Sequence, residues 1–190
     1  MTDHTAARSP EVLIVCGSVR PGGHTQALTR YAAARLDGDG HRVMLWNLAE
    51  RPLPMANPAY HHEPAANPDP AVRRFVAAAR RADALLLASP VYHSSYSGVL
   101  KNALDCVSMS EFAGKSVGLL AHGPQLTAVQ VCDHLRIVVR SLYGHCVPEQ
   151  AVTTPEDYDR DDSGDWRLSA PRMRARVDGL AAAVVKAAQR

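Results

Sequence analysis

No stretch of this sequence holds the roughly 20 consecutive apolar residues needed to cross a bilayer, so no helical membrane span is expected. Charge of one sign is equally scarce. The 21 Lys and Arg stand against 19 Asp and Glu, a net charge of +2, too little to draw the chain to nucleic acid or to an anionic membrane surface. The arginines are scattered, and no basic run is interleaved with aromatics, which make up only 5% of the residues. Cys16, Cys106, Cys132 and Cys146 lie far apart without a C-x-x-C pair, which argues against a disulfide framework and against a thiolate metal centre. The opening residues, 1–10, lack the apolar core of a secretory signal and read as a disordered leader. Cytoplasmic residence follows as the expectation.

Several catalytic signatures are missing too. There is no G-x-x-x-x-G-K-[ST], no G-x-G-x-x-G and no G-x-S-x-G, which disfavours a nucleoside triphosphate, a Rossmann-type pyrophosphate and a Ser-His-Asp hydrolase. Of the nine histidines, His61 and His62 are adjacent in a proline-rich segment; they have no second ligand pair at metal-binding spacing and read as solvated. Cys16, at the end of an apolar run, reads as a small buried hydrophobe rather than a nucleophile.

What remains is 46% hydrophobic in 190 residues, enough for one domain with its own core, assigned to 11–190. Val12 to Cys16 is a continuous apolar run, as in a strand covered on both faces. Leu28, Tyr31, Ala32 and Leu36 then repeat at helical spacing before Gly38 and Gly40. Arg42 to Leu48 reads as a second strand, and the proline-rich stretch 52–70 as an irregular excursion. A helix from Pro70 carries Val72, Phe75, Val76 and Ala79 on one face; Ala84 to Ala88 is the third and most apolar strand. A helix from about Gly98, a strand over 116–121, a helix over 126–142 and a strand over 144–152 follow. An acidic loop at 155–166 leads to a last helix over 172–189. Alternating strands and helices imply a parallel sheet covered on both faces, and five strands favour the flavodoxin-like order 2-1-3-4-5.

Two loops then fall outside the carboxyl edge of that sheet, where open α/β sheets bind ligands. Residues 17–28, GSVRPGGHTQAL, place Gly, hydroxyl and amide groups ahead of a helix start, whose unsatisfied N–H groups attract a phosphate. Arg20 adds a full charge, and a single terminal phosphate fits best. The plain alternative is an ordinary turn with Thr25 or His24 as the helix cap. Residues 90–97, PVYHSSYS, place peptide N–H groups, three serines and two tyrosines at the end of the third strand, against which a planar heterocycle could lie. Here too a plain alternative stands, with Ser95 or Ser97 as caps and Tyr92 and Tyr96 as packing.

Gly17-Ser-Val-Arg20, with Thr25 and Leu28 beyond it, resembles the G-S-x-R signature of the NADPH-dependent FMN reductases. Pro90 to Ser94 and Ser97 to Asp105 resemble that family's ring-binding loop and the helix after it. The resemblance spans roughly residues 11 to 150 and rests on two motifs at a fixed separation. It implies a flavodoxin-like FMN-dependent oxidoreductase that takes reducing equivalents from NADPH or NADH to a small acceptor: free flavin, a quinone, an azo compound or a metal oxyanion. Ser18, Arg20, Thr25 and Gln26 would then hold the FMN phosphate, and Pro90, Val91, Tyr92, His93 and Ser94 would line the isoalloxazine. His93 falls at a variable position of the family and would touch substrate. A third contact would come from His122 and Gly123, where this chain departs from the family's Gly-Gly pair. A homodimer, with the helix carrying Lys101 and Asp105 at its interface, is implied by the same resemblance. The competing reading is a flavodoxin-type electron carrier, against which the near-neutral charge argues; a flavin-free descendant of the fold is the third.

Overall fold

The computed structural model describes residues 9–189. Five parallel strands, β1 (Glu11–Cys16), β2 (Arg42–Asn47), β3 (Ala84–Pro90), β4 (Ser116–His122) and β5 (His145–Thr153), lie in the order β2-β1-β3-β4-β5 expected from the sequence. The six α-helices among the described residues are α1 (His24–Gly38), α2 (Pro70–Arg81), α3 (Gly98–Asp105), α4 (Met109–Phe112), α5 (Val129–Ser141) and α6 (Pro171–Ala188). None of them is long and apolar enough to cross a membrane.

Strand side chains alternate between two cores. Leu13, Val15, Leu85, Leu87 and Leu119 face a layer that includes Phe75, Leu104 and Leu135 from α2, α3 and α5. Val12, Ile14, Leu86 and Leu120 face Leu28 and Leu36 of α1 and Leu180 and Val184 of α6. Because both faces are covered, β1 and β3 are apolar at almost every position rather than at every second one. Burying each leucine of β3 contributes about 2–3 kcal/mol relative to exposure.

Helix starts are set locally. The Asp69 carboxylate accepts from the N–H groups of Ala71 (2.7 Å) and Val72 (3.1 Å), with Pro70 at the first helical position. Ser108 and Glu111 form a reciprocal capping box around the single turn of α4. By contrast α1 begins after Gly23 with no side-chain cap, so its first-turn N–H groups are left for another partner.

Four segments differ from the sequence-based expectation. The acidic loop at 155–166 is instead a 3-10 turn, Pro155–Asp157, followed by an antiparallel hairpin of β6 (Tyr158–Arg160) and β7 (Trp166–Leu168). The buried Tyr158 and Leu168 join the α1–α6 core and give the hairpin its anchor. The excursion at 52–70 contains 3-10 turns at Pro58–Tyr60 and Pro64–Ala66, and Asn102 of α3 pins it by accepting from Ala56 N–H (2.9 Å) and donating to Pro54 C=O (2.8 Å). The helix expected over 126–142 opens as a 3-10 turn before α5, and α4 is additional. Residues 1–8 of the expected leader lie outside the described residues, while Ser9 hydrogen-bonds to the Gly40 carbonyl at 3.0 Å and Pro10 is buried. Lys101 and Asp105 form an exposed ion pair at 2.6 Å, the modest contact expected of an i,i+4 pair.

Candidate functional site

The strand register brings three loops together, because Cys16 pairs with Ala88 and Pro90 with His122 at the carboxyl edge. The loop after β1 folds on itself through Gln26, whose side-chain oxygen accepts from Gly22 N–H at 3.0 Å and whose amide donates to Asn47 Oδ1 at 3.4 Å. Gln26 therefore shapes this loop, and both ends of its side chain are engaged. The Ser18 hydroxyl accepts from Arg20 N–H at 3.3 Å, which leaves its own proton to donate. Thr25 is only 3% exposed, yet its hydroxyl has no hydrogen bond among the described residues. The N–H groups of His24 and Thr25 are likewise without acceptors there. Arg20 lies across Gly23, near the helix start, with no ion pair among the described residues. Neither Thr25 nor His24 caps α1, so the plain-turn alternative loses its proposed cap.

The loop after β3 is tighter. Tyr92 and Ser95 exchange backbone hydrogen bonds at 2.9 and 3.0 Å, closing a two-residue turn over His93 and Ser94. Both turn residues have positive φ, 47° and 63°, a conformation that costs a non-glycine residue about 1–2 kcal/mol. Strain of this kind concentrates at ligand-binding loops. The N–H groups of His93, Ser94 and Tyr96 have no acceptor among the described residues. Pro90 is buried as the last residue of β3, Val91 is half-buried, and Tyr92, His93 and Ser94 are exposed. Ser97 caps α3, as one reading of the sequence had it, and Ser95 instead meets His134 Nδ1 at 2.9 Å.

The loop after β4 contributes backbone more than side chains. The His122 carbonyl accepts from Val91 N–H at 2.8 Å, and Gly123 N–H donates to Thr153 C=O at 3.1 Å. The His122 ring turns to the α1–α6 side, where it lies 4.6 Å from His24, which in turn packs 4.4 Å from Trp166. The Thr153 hydroxyl donates to Ala121 C=O (3.2 Å), accepts from Tyr158 O–H (2.9 Å) and sits 3.1 Å from His122 Nδ1. A hydroxyl has a single proton, so when Thr153 directs it at the Ala121 carbonyl, His122 is the donor, from Nδ1. Burial first, and the neighbouring His24 second, push the His122 imidazole down to about 4. His24 is lowered by burial, then by Arg20 and Arg160. Cys16 is fully buried, and burial raises its thiol, as befits an inert core residue.

Sequence reasoning missed three features here. Ser97 was legible only as a cap, whereas its hydroxyl also crosses to the loop after β1. Asn47 supports Gln26 from the end of β2, a contact with no local signal. The hairpin brings Trp166 and Arg160, whose guanidinium lies 3.9 Å from the indole centroid, beside the loop after β1.

The combination is chemically specific. Among the described residues, uncapped helix N–H groups, a hydroxyl without a partner and an arginine without an ion pair suit an anion, and a neighbouring strained loop with free N–H groups suits a polar planar ring. The family profile described as NADPH-dependent FMN reductase matches residues 10–159. An FMN-dependent NADPH-azoreductase of Staphylococcus saprophyticus is 35% identical over 165 residues, 87% of this chain and 88% of that one. That of Staphylococcus aureus strain USA300 is 35% identical over 167 residues, 87% of this chain and 89% of its own. The solved flavoenzyme NAD(P)H:(acceptor) oxidoreductase of Paracoccus denitrificans superposes with a TM-score of 0.75 at 20% identity, covering 94% of this chain and 97% of that one, and shares its fold. On these grounds the chain belongs to the NADPH-dependent FMN reductase family, flavodoxin-like oxidoreductases that use FMN and NAD(P)H to reduce small acceptors.

Proposed function

We propose that Thr25, Ser18, Arg20 and the first-turn N–H groups of α1 hold the FMN phosphate. Pro90, Val91, Tyr92, His93 and Ser94, with the backbone of His122 and Gly123, would line the isoalloxazine. One observation carries this reading: the first-turn N–H groups of His24 and Thr25 have no acceptor among the described residues, and α1 has no side-chain cap. A helix start left uncapped in this way seats an anion, and the Thr25 hydroxyl, also without a partner among the described residues, adds a donor beside it. The group fits the residues present. Gln26 acts through loop shape, and His122 through its carbonyl.

When bound, FMN supplies the two-electron chemistry between NAD(P)H and the acceptor. The chain's own residues bind, orient and exclude water. The anion seat fixes one end of the cofactor; the free N–H groups of His93, Ser94 and Tyr96 offer donors to the polar edge of the ring. Such donors, held in place before the reaction, stabilise charge that grows on a bound group. No side-chain acid or base is required. Exposed Tyr92 and His93 border the ring seat on its open side and are the residues that would meet an acceptor.

The azoreductase relatives support an azo compound as one such acceptor. The reading extends to a homodimer, supported by the exposed apolar Ile137 (59%) on α5 and Tyr143 (63%) just beyond it. It extends also to the cytoplasm, supported by four cysteines that are all free thiols.

The test is direct. Purified protein should show a flavin absorption that bleaches on adding NADPH without air and returns when an azo dye is added and decolorised. Thr25→Val should weaken FMN binding about tenfold or more, and Thr25→Ser should restore most of it. Unchanged affinity in Thr25→Val places the phosphate elsewhere.

A further inference from the structure

A recess outside both signature loops lies where the end of β5, the start of α5 and the start of α6 meet. Its volume is about 470 Å³, within the range of small-molecule sites, roughly 300–1,000 Å³. Val129 of α5, Val152 of β5 and Met173 of α6 form apolar walls, and Leu126, 74% exposed, stands at the mouth.

The charged groups on the lining are unequal. The Asp157 carboxylate is turned into its own 3-10 turn, where it accepts from Thr154 N–H at 2.8 Å and from the Thr154 hydroxyl at 3.4 Å. Arg176 is fixed through Nε to the Gln150 carbonyl at 2.7 Å. Arg172 has no hydrogen bond or ion pair among the described residues. The lining therefore carries two arginines and one carboxylate that is already hydrogen-bonded, together with apolar walls. A cation is repelled by such a lining, and a neutral hydrocarbon leaves the arginine unused. An apolar body with one anionic head satisfies both parts, since guanidinium binds carboxylate or sulfonate through paired N–H groups.

We propose that this recess is a binding site for a small amphipathic anion, an aromatic or aliphatic body bearing one carboxylate or sulfonate. The body packs on Val129, Val152 and Met173, and the head meets Arg172. The site is separate from the flavin seat and does not rest on that assignment. Its position gives it a consequence, however: Leu126 and Val129 continue the segment that Gly123 ties to Thr153, so an occupant touches the chain that also borders the ring seat.

The experiment is calorimetric titration of the protein as purified with 1-naphthalenesulfonate and, in parallel, with neutral 1-naphthalenesulfonamide. The sulfonate should bind about tenfold or more tightly than the sulfonamide. Arg172→Ala should erase that preference, and Arg172→Glu should reverse it. Val129→Trp, which fills the recess, should abolish binding of both probes; its folding is checked by its thermal midpoint, and the exposed Arg172 variants carry the test if it fails to fold. Excess FMN should not displace the sulfonate. Equal affinity for the two probes, an Arg172→Ala variant that binds the sulfonate as well as the parent does, or displacement by FMN overturns the proposal.

Discussion

The Ser97 hydroxyl donates to the carbonyl oxygen of Gly17 at 2.6 Å, across 80 positions of chain. The same hydroxyl accepts from Leu100 N–H at 3.3 Å, and the Ser97 N–H donates to the Ser89 hydroxyl at 2.8 Å. One serine, 1% exposed, thus joins the end of β3, the start of α3 and the loop after β1. A Cβ on Gly17 would lie 2.8 Å from both the Ala88 carbonyl oxygen and Leu100 Cβ. The glycine is what permits the approach, and the serine holds it closed.

Ser97→Ala leaves the buried Gly17 carbonyl and Leu100 N–H without this partner, so unfolding free energy should fall by about 1–3 kcal/mol. FMN affinity should fall with it, because the two loops lose their common anchor. Urea unfolding followed by circular dichroism, with a flavin titration of the folded variant, measures both; an unchanged midpoint refutes the linkage.

Gly123 is confined in a different way. An added Cβ would press inside van der Waals contact of Val91 Cγ1 and lie 2.7 Å from Ala128 Cβ. Gly123→Ala should push the loop after β4 away from the ring loop and cost about 1–3 kcal/mol through overpacking. The absorption and circular dichroism of bound flavin should change as well, whereas a spectrum identical to the parent's would show that the loop had not moved.

The turn at His93 and Ser94 places two non-glycine residues at positive φ. Ser94→Gly should therefore raise stability by about 1 kcal/mol in the flavin-free protein. Thermal unfolding of the apoprotein checks this. A lower midpoint would mean that the Ser94 side chain contributes more than its backbone conformation costs.

Acid should loosen the side of the molecule that carries the hairpin. His24 and His122 are both lowered from the ordinary imidazole value, His122 to about 4. The unfolded chain binds protons first, near 6.5, so the contribution of the neutral pair is complete above that pH. It declines as pH falls from there toward about 4, at no more than about 1.4 kcal/mol per pH unit for each proton taken up. His122→Asn keeps a side-chain amide donor toward Thr153 and does not titrate, so its stability should vary less with pH over that window. Equal slopes for the variant and the parent would assign the acid sensitivity to other groups.

Local chemistry was legible wherever it is written in adjacent residues. The continuous apolar run at Val12 to Cys16 announced a strand covered on both faces, and Pro70 announced a helix start. The β6–β7 hairpin escaped because three-residue strands carry no measurable alternation, and its stability comes from Tyr158 and Leu168 reaching a core made by distant helices. The turn of α4 did have a signal, Ser108 followed by Glu111 at capping-box spacing. That Gln26 lies in the loop after β1 is plain from the sequence, but that its amide is engaged with Gly22 and Asn47 depends on where β2 ends beside β1.

By itself, the sequence determined the order of the five sheet strands and of the main helices between them, the parallel sheet that this order requires, and the two loops at its carboxyl edge. Those properties follow from periodicity and turn chemistry, which act over a few residues. Only the tertiary structure decided which donors in those loops are free and which are consumed, that His122 offers its carbonyl while its ring stacks on His24, and that Arg172 overlooks an apolar recess. The reason is physical: whether a polar group is satisfied depends on partners tens of residues away, and those distances are fixed only when the sheet closes and the helices dock upon it.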